Sequence, residues 1–129
     1  MFGETSAFSG FSVDDLDAAR RFYGETLGLK VEEQGEGEMR MLFLTLAGGA
    51  RVLLYPKDDH APASFTVLNF AVDDIDRAVD ELTGRGVTLE RYPGFEADGK
   101  GVVRAGGGPA VAWFKDPAGN VLSVLQDLG

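Results

Sequence analysis

A duplicated segment is the feature that most restricts the fold of this chain. Residues 11–17 read Phe-Ser-Val-Asp-Asp-Leu-Asp, and residues 70–76 read Phe-Ala-Val-Asp-Asp-Ile-Asp. The copies start 59 residues apart (70 − 11) in a chain of 129 residues, so each copy opens one half of the chain. Because an internal repeat marks a repeated structural unit, the sequence predicts two similar modules.

Each copy of the repeat predicts the start of a helix. An alternating apolar run ends at Val, one Asp follows as the N-cap, and a second Asp three residues later can reach back as in a capping box. This spacing assigns the N-caps to Asp14 and Asp73. Apolar residues then recur at helical spacing, and the helices are expected to end near Gly28 and Gly86, which favour a left-handed turn.

Strand-like segments separated by turn residues follow each predicted helix. They lie at residues 29–33, 40–46 and 51–55 in the first half and at 87–92, 102–104, 110–114 and 121–125 in the second. Each half therefore reads β-α-β-β-β, which is an α+β pattern. A half of about 60 residues buries little surface alone, so the halves should pack as one domain or pair with those of another chain.

Composition excludes several functions. Twelve Lys and Arg stand against 21 Asp and Glu, and this net charge of −9 argues against binding to nucleic acid. The absence of cysteine excludes disulfides, zinc ribbons and thiol nucleophiles. No apolar run reaches the roughly 18–20 residues of a membrane helix, and the first residues lack a signal-peptide pattern. We expect a soluble, cytoplasmic protein without a membrane partner.

Three stretches resemble the vicinal-oxygen-chelate (VOC) superfamily, which includes glyoxalase I, bleomycin resistance proteins and extradiol dioxygenases. Residues 11–19, together with Phe-Tyr-Gly-Glu-Thr-Leu-Gly-Leu at 22–29, are similar to its opening segment. Trp-Phe-Lys-Asp-Pro-Ala-Gly-Asn-Val-Leu at 113–122 is similar to its closing hairpin. The resemblance implies a single domain over residues 1–129, with βαβββ modules at about 5–56 and 65–127 and a connector at 57–64. Their curved mixed sheets would enclose a cleft.

The resemblance also implies where superfamily enzymes hold a divalent metal. In this chain the four corresponding positions are Phe8, Leu53, Val67 and Ser123. None of them supplies the carboxylate or imidazole that such ions need. We therefore expect no metal and no cofactor, and a site relocated to acids such as Glu38 or Asp98 is the alternative.

Alternation along the strands predicts which side chains face the cleft. Phe11 and Val13 should pack under the first helix, and their neighbours should face the opposite way. The expected ligand contacts are Phe8, Ser12, Leu53, Tyr55, Val67, Asn69, Trp113 and Ser123. This apolar, aromatic lining with a few polar groups is typical of a small-molecule pocket. Alternatively, Trp113 plugs the cleft, and Asn69 satisfies a neighbouring strand or a buried water.

Two further segments are assigned no chemistry. His60, the only histidine, lies in the connector and is expected to be a solvated loop residue. Residues 94–108 have little apolar periodicity and are expected to form a mobile loop over the pocket, with a glycine turn at 106–108.

Two functions are consistent with these features. The first is a metal-free protein that binds or sequesters a small hydrophobic or partly cationic molecule, with no catalytic residue. The second is a glyoxalase-like or dioxygenase-like enzyme with a non-standard metal site or a metal-free acid–base mechanism. A homodimer is expected in either case, because the strands ending in Tyr55 and Leu125 are predicted to leave sheet edges that need covering.

Overall fold

Each half of the chain forms a βαβββ unit in the computed structural model, which describes residues 1–104 and 108–126. The units are Met1–Ala61 and Pro62–Gly129. The first contains β1 (Ser9–Val13), α1 (Leu16–Arg21), β2 (Lys30–Gln34), β3 (Met41–Thr45) and β4 (Arg51–Pro56). The second contains β5 (Thr66–Val72), α2 (Ile75–Gly84), β6 (Leu89–Glu90), β7 (Val111–Lys115) and β8 (Val121–Gln126). The predicted α+β class and the module pattern are confirmed.

The two units have the same sheet topology. Their strand orders are β1-β4-β3-β2 and β5-β8-β7-β6, and both sheets are mixed. In each, the first strand runs parallel to the last, and the other pairs are antiparallel. The prediction that the strands ending in Tyr55 and Leu125 are sheet edges is therefore wrong. In each unit the last strand lies inside the sheet, because the first strand pairs with one of its sides and the third strand with the other. The edge strands are β1 and β2 in the first sheet and β5 and β6 in the second.

Both helices begin one residue later than predicted. The carboxylates of Asp15 and Asp74 accept hydrogen bonds from the backbone N–H three residues on, at 3.0 and 3.2 Å. The backbone of both residues is extended, as an N-cap requires. Asp17 is predicted to bond to the backbone at the N-terminus of α1. It instead accepts a hydrogen bond from the side chain of Arg40 at 2.9 Å. The Asp17 carboxylate thus has an arginine from a distant part of the chain as its partner, and the predicted capping box does not form.

The two helices differ in how they end. Helix α1 continues into a π-helical turn over Phe22–Thr26, whereas α2 ends at its C-cap, Arg85. Both predicted helix-terminating glycines adopt positive φ, with 73° at Gly28 and 87° at Gly86. That conformation favours glycine, so both predicted stops are confirmed.

The second unit has less strand than its sequence predicts. Of the predicted strand at 87–92, only Leu89–Glu90 pairs in the sheet. Val103 makes isolated bridges to Ala97 and Val111, so 102–104 is not a strand of its own. The first two residues of the predicted glycine turn at 106–108 lie outside the described residues.

One face of the first sheet contributes to the core, as alternation predicts. Helix α1 contacts β3 and β4, and α2 contacts β7 and β8. On β4, Val52 and Leu54 are buried, whereas Leu53 is half-buried and Tyr55 is 38% exposed. Val13, expected under the first helix, is fully buried. Within the described residues, no helix is both long enough and apolar enough to cross a membrane.

Candidate functional site

An aromatic cluster lies on the other face of the first sheet. The ring of Phe43 on β3 meets the ring of Phe8 edge-on, with centroids 5.6 Å apart. The guanidinium carbon of Arg51 lies over the Phe43 ring, 3.9 Å from its centroid. Phe43 is 7% exposed, whereas Phe8 is 60% exposed. Phe43 is therefore largely covered from solvent, whereas the ring of Phe8 beside it remains accessible to a ligand.

Strand register brings predicted contacts of the first unit next to this cluster. Leu53 on β4 lies opposite Phe43 on one side and Gly10 on the other. Two residues further along, Tyr55 lies opposite Ser12. Because paired residues and residues two apart share a face of a sheet, these side chains and Phe43 belong to one surface.

The connector places a histidine at the edge of this surface. Nδ1 of His60 and Oγ of Ser12 share a hydrogen bond of 2.6 Å, whose direction depends on the imidazole tautomer. Two backbone hydrogen bonds hold the connector in this position. The Lys57 N–H donates to the Val13 carbonyl at 3.0 Å, and the His60 N–H donates to the Lys57 carbonyl at 3.1 Å. His60 lies in a loop, as expected, but it is half-buried and bonded to Ser12, so it is not the fully solvated residue that was expected.

A second aromatic cluster surrounds Trp113 on β7. Its ring meets Tyr92 with centroids 5.5 Å apart at 80°, and Phe95 with centroids 5.2 Å apart at 62°. Phe95 is 55% exposed. The Tyr92 hydroxyl is buried and has no hydrogen-bond partner among the described residues. A buried hydroxyl without a partner is uncommon and costs stability.

Two predicted contacts of the second unit bond to each other beside Trp113. Oγ of Ser123 donates a hydrogen bond to Oδ1 of Asn69 at 2.5 Å, and Ser123 is fully buried. In register, Ser123 lies between Asn69 on β5 and Trp113 on β7. Since the amide oxygen is engaged by Ser123, the amide nitrogen is the donor that exposed Asn69 can offer to a ligand.

The two surfaces occupy equivalent places in the repeat. Leu53 and Ser123 each lie on the last strand of their unit, with a first-strand residue on one side and an aromatic residue on the other. Those aromatic residues are Phe43 and Trp113. Each sheet thus carries one large ring at the same position, 70 residues apart along the chain (113 − 43).

Val67 differs from the other predicted contacts. The pairing of β5 with β8 passes from Thr66 opposite Val121 directly to Leu68 opposite Leu122. Val67 is therefore the extra residue of a bulge. Simple alternation does not give its direction there, because a bulge re-aims the side chains around it.

The loop around Asp98 is held more firmly than its sequence suggests. The Asp98 carboxylate accepts hydrogen bonds from the backbone N–H groups of Val102, at 3.0 Å, and Lys100, at 2.9 Å. The bond from Val102 is the largest cause that lowers the pKa of Asp98. Lys100 also pairs with Asp80 on α2 at 3.0 Å. These contacts tie this part of the predicted mobile segment to the helix.

Comparison with known proteins identifies the family. The model of the Glyoxalase/Bleomycin resistance protein/Dioxygenase superfamily matches residues 7–124. The chain belongs to this superfamily. The match confirms the resemblance found in the repeat and the closing hairpin. No curated protein matches the chain.

Solved structures of the superfamily have the same fold. TnmS3, an antibiotic binding protein from Streptomyces sp. CB03234, is 26% identical with a TM-score of 0.70, covering 95% of this chain and 97% of its own. A superfamily member from Sphaerobacter thermophilus DSM 20745 is 25% identical with a TM-score of 0.69, covering 95% and 98%. A glyoxalase family protein from Enterococcus faecalis is 23% identical with a TM-score of 0.71, covering 98% and 100%.

The positions at which superfamily enzymes are expected to hold a metal do not fit one here. Phe8, Leu53 and Val67 offer hydrocarbon only, and the Ser123 hydroxyl is engaged with Asn69. Divalent ions of these enzymes need carboxylate or imidazole donors. Across residues 1–104 and 108–126, no three His, Cys, Asp or Glu side chains group as metal ligands would.

Sequence reasoning missed five residues of these surfaces. They are Phe43, Arg51, His60, Tyr92 and Phe95. Phe43 could have been found from parity, because its neighbours Leu42 and Leu44 are core residues of the same strand. Arg51 could also have been found from parity, because it lies two residues before Leu53 on β4. The other three, His60, Tyr92 and Phe95, lie in loops, for which the sequence carries no periodic signal.

Proposed function

We propose that this protein binds and sequesters a small hydrophobic molecule without the help of a metal. The observation that carries the proposal is the chemistry at the superfamily's metal positions, where Phe8, Leu53 and Val67 replace ligating side chains. In the first unit, Phe8 packs against the ring of Phe43. In the second unit, Trp113 packs against Tyr92 and lies next to the bonded pair of Ser123 and Asn69. Such a mixture suits ligand binding by burial and ring stacking.

The comparison with TnmS3 supports the same function. That protein is described as antibiotic binding, and its structure aligns with 95% of this chain. A metal-free binding role for this chain agrees with that description.

The net charge of −9 adds an expectation about rates. A ligand with a cationic part should associate faster at low salt than a neutral ligand of similar shape. The advantage should fade as the Debye length falls to about 8 Å at physiological ionic strength. Stopped-flow measurements with matched amine and amide compounds at two salt concentrations test this expectation.

Fluorescence of the only tryptophan tests the proposed binding function directly. A ligand that stacks near Trp113 should shift or quench its emission and raise the melting temperature. In Trp113→Phe the emission signal disappears, while the gain in melting temperature should remain in part, because one ring replaces another. If no member of a panel of aromatic compounds changes emission or melting temperature, the proposal is wrong.

Metal content separates binding from the family's metal-dependent chemistry. Protein purified without a His-tag should contain no stoichiometric Mn, Fe, Ni or Zn, because the expected ligand positions are apolar. One equivalent of any of these metals would overturn the proposal. It would point to a relocated site instead.

The Ser12–His60 pair supports a second candidate, a metal-free acid–base enzyme of the same superfamily. A histidine within hydrogen-bonding distance of a hydroxyl can exchange a proton with a bound substrate or orient that hydroxyl. If this function holds, His60→Gln should abolish turnover of a bound compound while leaving its affinity nearly unchanged. Product analysis after incubation with each compound that binds distinguishes the two functions.

We also propose that the chain forms a homodimer. In the described structure, β1 and β2 are edge strands of the first sheet, and unpaired edges favour pairing with another chain. Sedimentation at micromolar concentration should show a species of twice 13.8 kDa. A monomer at that concentration contradicts the proposal.

A further inference from the structure

We propose that Arg51 selects ligands that carry an acidic group next to an aromatic ring. The inference deepens the proposed binding function and rests on it. It names the chemical class of the ligand at the surface of the first unit, which is an aromatic carboxylate or a comparable planar acid. Arg51 would hold the acidic group, and Phe8 would contact the ring.

Arg51 differs from the other basic residues on the strands. Lys30 lies 3.6 Å from Glu32, and Lys115 lies 3.7 Å from Glu90. Arg51 has no carboxylate within 4.0 Å among the residues that the structure describes, although the chain holds 21 acids. A cation in an acidic protein that lacks an acidic neighbour remains available to a ligand anion.

The surroundings of Arg51 hold its guanidinium in place without occupying its hydrogen-bond donors. The group lies over Phe43, 3.9 Å from the ring centroid. An aromatic face attracts the cation through its quadrupole but accepts no conventional N–H···O bond. A guanidinium restrained on a ring loses less conformational freedom when it binds, and its donors match a carboxylate bidentately.

The neighbouring side chains define the rest of the ligand. Phe8 packs against Phe43 at 5.6 Å and keeps 60% of its surface exposed. Leu53 follows Arg51 on the same face of β4 and lies opposite Phe43. A ring placed against Phe8 and Leu53 would therefore bring a substituent at its edge towards Arg51. An acid attached directly to the ring fits this short separation better than one on a long chain.

The inference changes the expectation drawn from net charge. The overall charge of −9 acts at long range and favours cations in solution. Arg51 acts at contact, where a paired acid gains hydrogen bonds that a cation cannot form. The ligand bound at this surface should therefore be negatively charged, although the net charge of the protein favours positively charged ligands in solution.

Calorimetric titration with three matched probes tests the inference. The probes are 2-naphthoate, 2-naphthamide and 2-naphthylmethylammonium, which share a ring system and differ in charge. The native protein should bind 2-naphthoate about fivefold to tenfold more tightly than 2-naphthamide, and the ammonium compound most weakly. Arg51→Gln should remove the preference for 2-naphthoate, and Arg51→Lys should restore only part of it.

Arg77→Gln is the matched control. Arg77 is exposed on α2, and its replacement alters the net charge by the same amount while leaving the proposed contact intact. This variant should keep the preference for 2-naphthoate. If Arg51→Gln does not fold, Arg51→Lys replaces it: this variant keeps the net charge but loses the planar guanidinium, so the ratio of the 2-naphthoate and 2-naphthamide affinities should fall.

The outcomes separate this inference from the proposed function. Equal binding of the acid and the amide, or an equal loss of preference in Arg51→Gln and Arg77→Gln, overturns the inference and leaves the binding function standing. A ratio that is the same in Arg51→Lys as in the native protein also overturns it. If none of the three probes binds and the wider aromatic panel fails as well, both are wrong.

Discussion

His60 and Ser12 are 48 positions apart in sequence, yet Nδ1 of one lies 2.6 Å from Oγ of the other. This bond joins the end of the first unit to its first strand. It also gives the surface around Leu53 a polar group that strand alternation alone would not supply. The contact is therefore expected to affect stability and, under the proposed function, ligand binding.

Removing the Ser12 hydroxyl should destabilise the protein modestly. Ser12→Ala leaves the half-buried imidazole of His60 without this partner, and the expected loss is about 0.5–1.5 kcal/mol of unfolding free energy. Urea denaturation measures it. Ser9→Ala, at an exposed position of the same strand, is the control and should change stability by less than about 0.5 kcal/mol. Equal effects of the two variants would show that the Ser12–His60 bond contributes nothing.

Replacing Tyr92 by Phe should stabilise the protein. The buried Tyr92 hydroxyl has no hydrogen-bond partner among the described residues, so its removal relieves a desolvation cost while the ring contact with Trp113 remains. The expected gain is about 1 kcal/mol, seen as a higher melting temperature. Tyr55→Phe changes a partly exposed hydroxyl and should have little effect. A loss of stability in Tyr92→Phe would mean that the hydroxyl has a partner in solution.

Adjacent leucines on β4 should respond differently to truncation. Leu54 is fully buried, and Leu54→Ala should cost about 2–5 kcal/mol of unfolding free energy. Leu53 is half-buried on the opposite face, so Leu53→Ala should cost less and should weaken binding of aromatic ligands. Chemical denaturation and calorimetry on the two variants check both effects. A reversed order of stability would mean that the strand faces are assigned incorrectly.

Acid should weaken the loop around Asp98. The pKa of Asp98 lies below its ordinary value of 3.8, chiefly because of the hydrogen bond from the Val102 N–H. A lowered carboxyl pKa stabilises the fold above the unfolded value, and this stabilisation is lost as pH falls through the folded value. The stability advantage of the native protein over Asp98→Asn should therefore be constant above about pH 5 and shrink below pH 3.8.

Denaturation curves measured from pH 7 to pH 2.5 follow this difference. Asp14→Asn, at an exposed position near the start of α1, is the matched control for the loss of one carboxylate. An advantage over Asp98→Asn that does not vary with pH would contradict the assigned hydrogen bonds.

Local patterns in the sequence determined where the helices begin and end and which way the side chains of β4 point. The repeat placed both helices to within one residue, and Gly28 and Gly86 end them as predicted because positive φ is a property of the single residue. Alternation on β4 separated Leu54 from Leu53 correctly, since successive side chains of a strand must point to opposite faces. The resemblance to the superfamily, carried by the repeat and the closing hairpin, assigned the expected metal positions to residues that are mostly apolar.

Tertiary structure alone decided the strand order and the partners of the polar groups. Residue spacing does not predict that β4 lies inside its sheet. It also does not predict that Asp17 accepts a hydrogen bond from Arg40 instead of forming a capping box. Arg51 contacts Phe43 because β3 and β4 pair in one particular register. His60 contacts Ser12 because the connector folds back towards the first strand. Periodicity reports burial over neighbouring residues, whereas these contacts arise from chain reversals between distant residues, which leave no periodic trace.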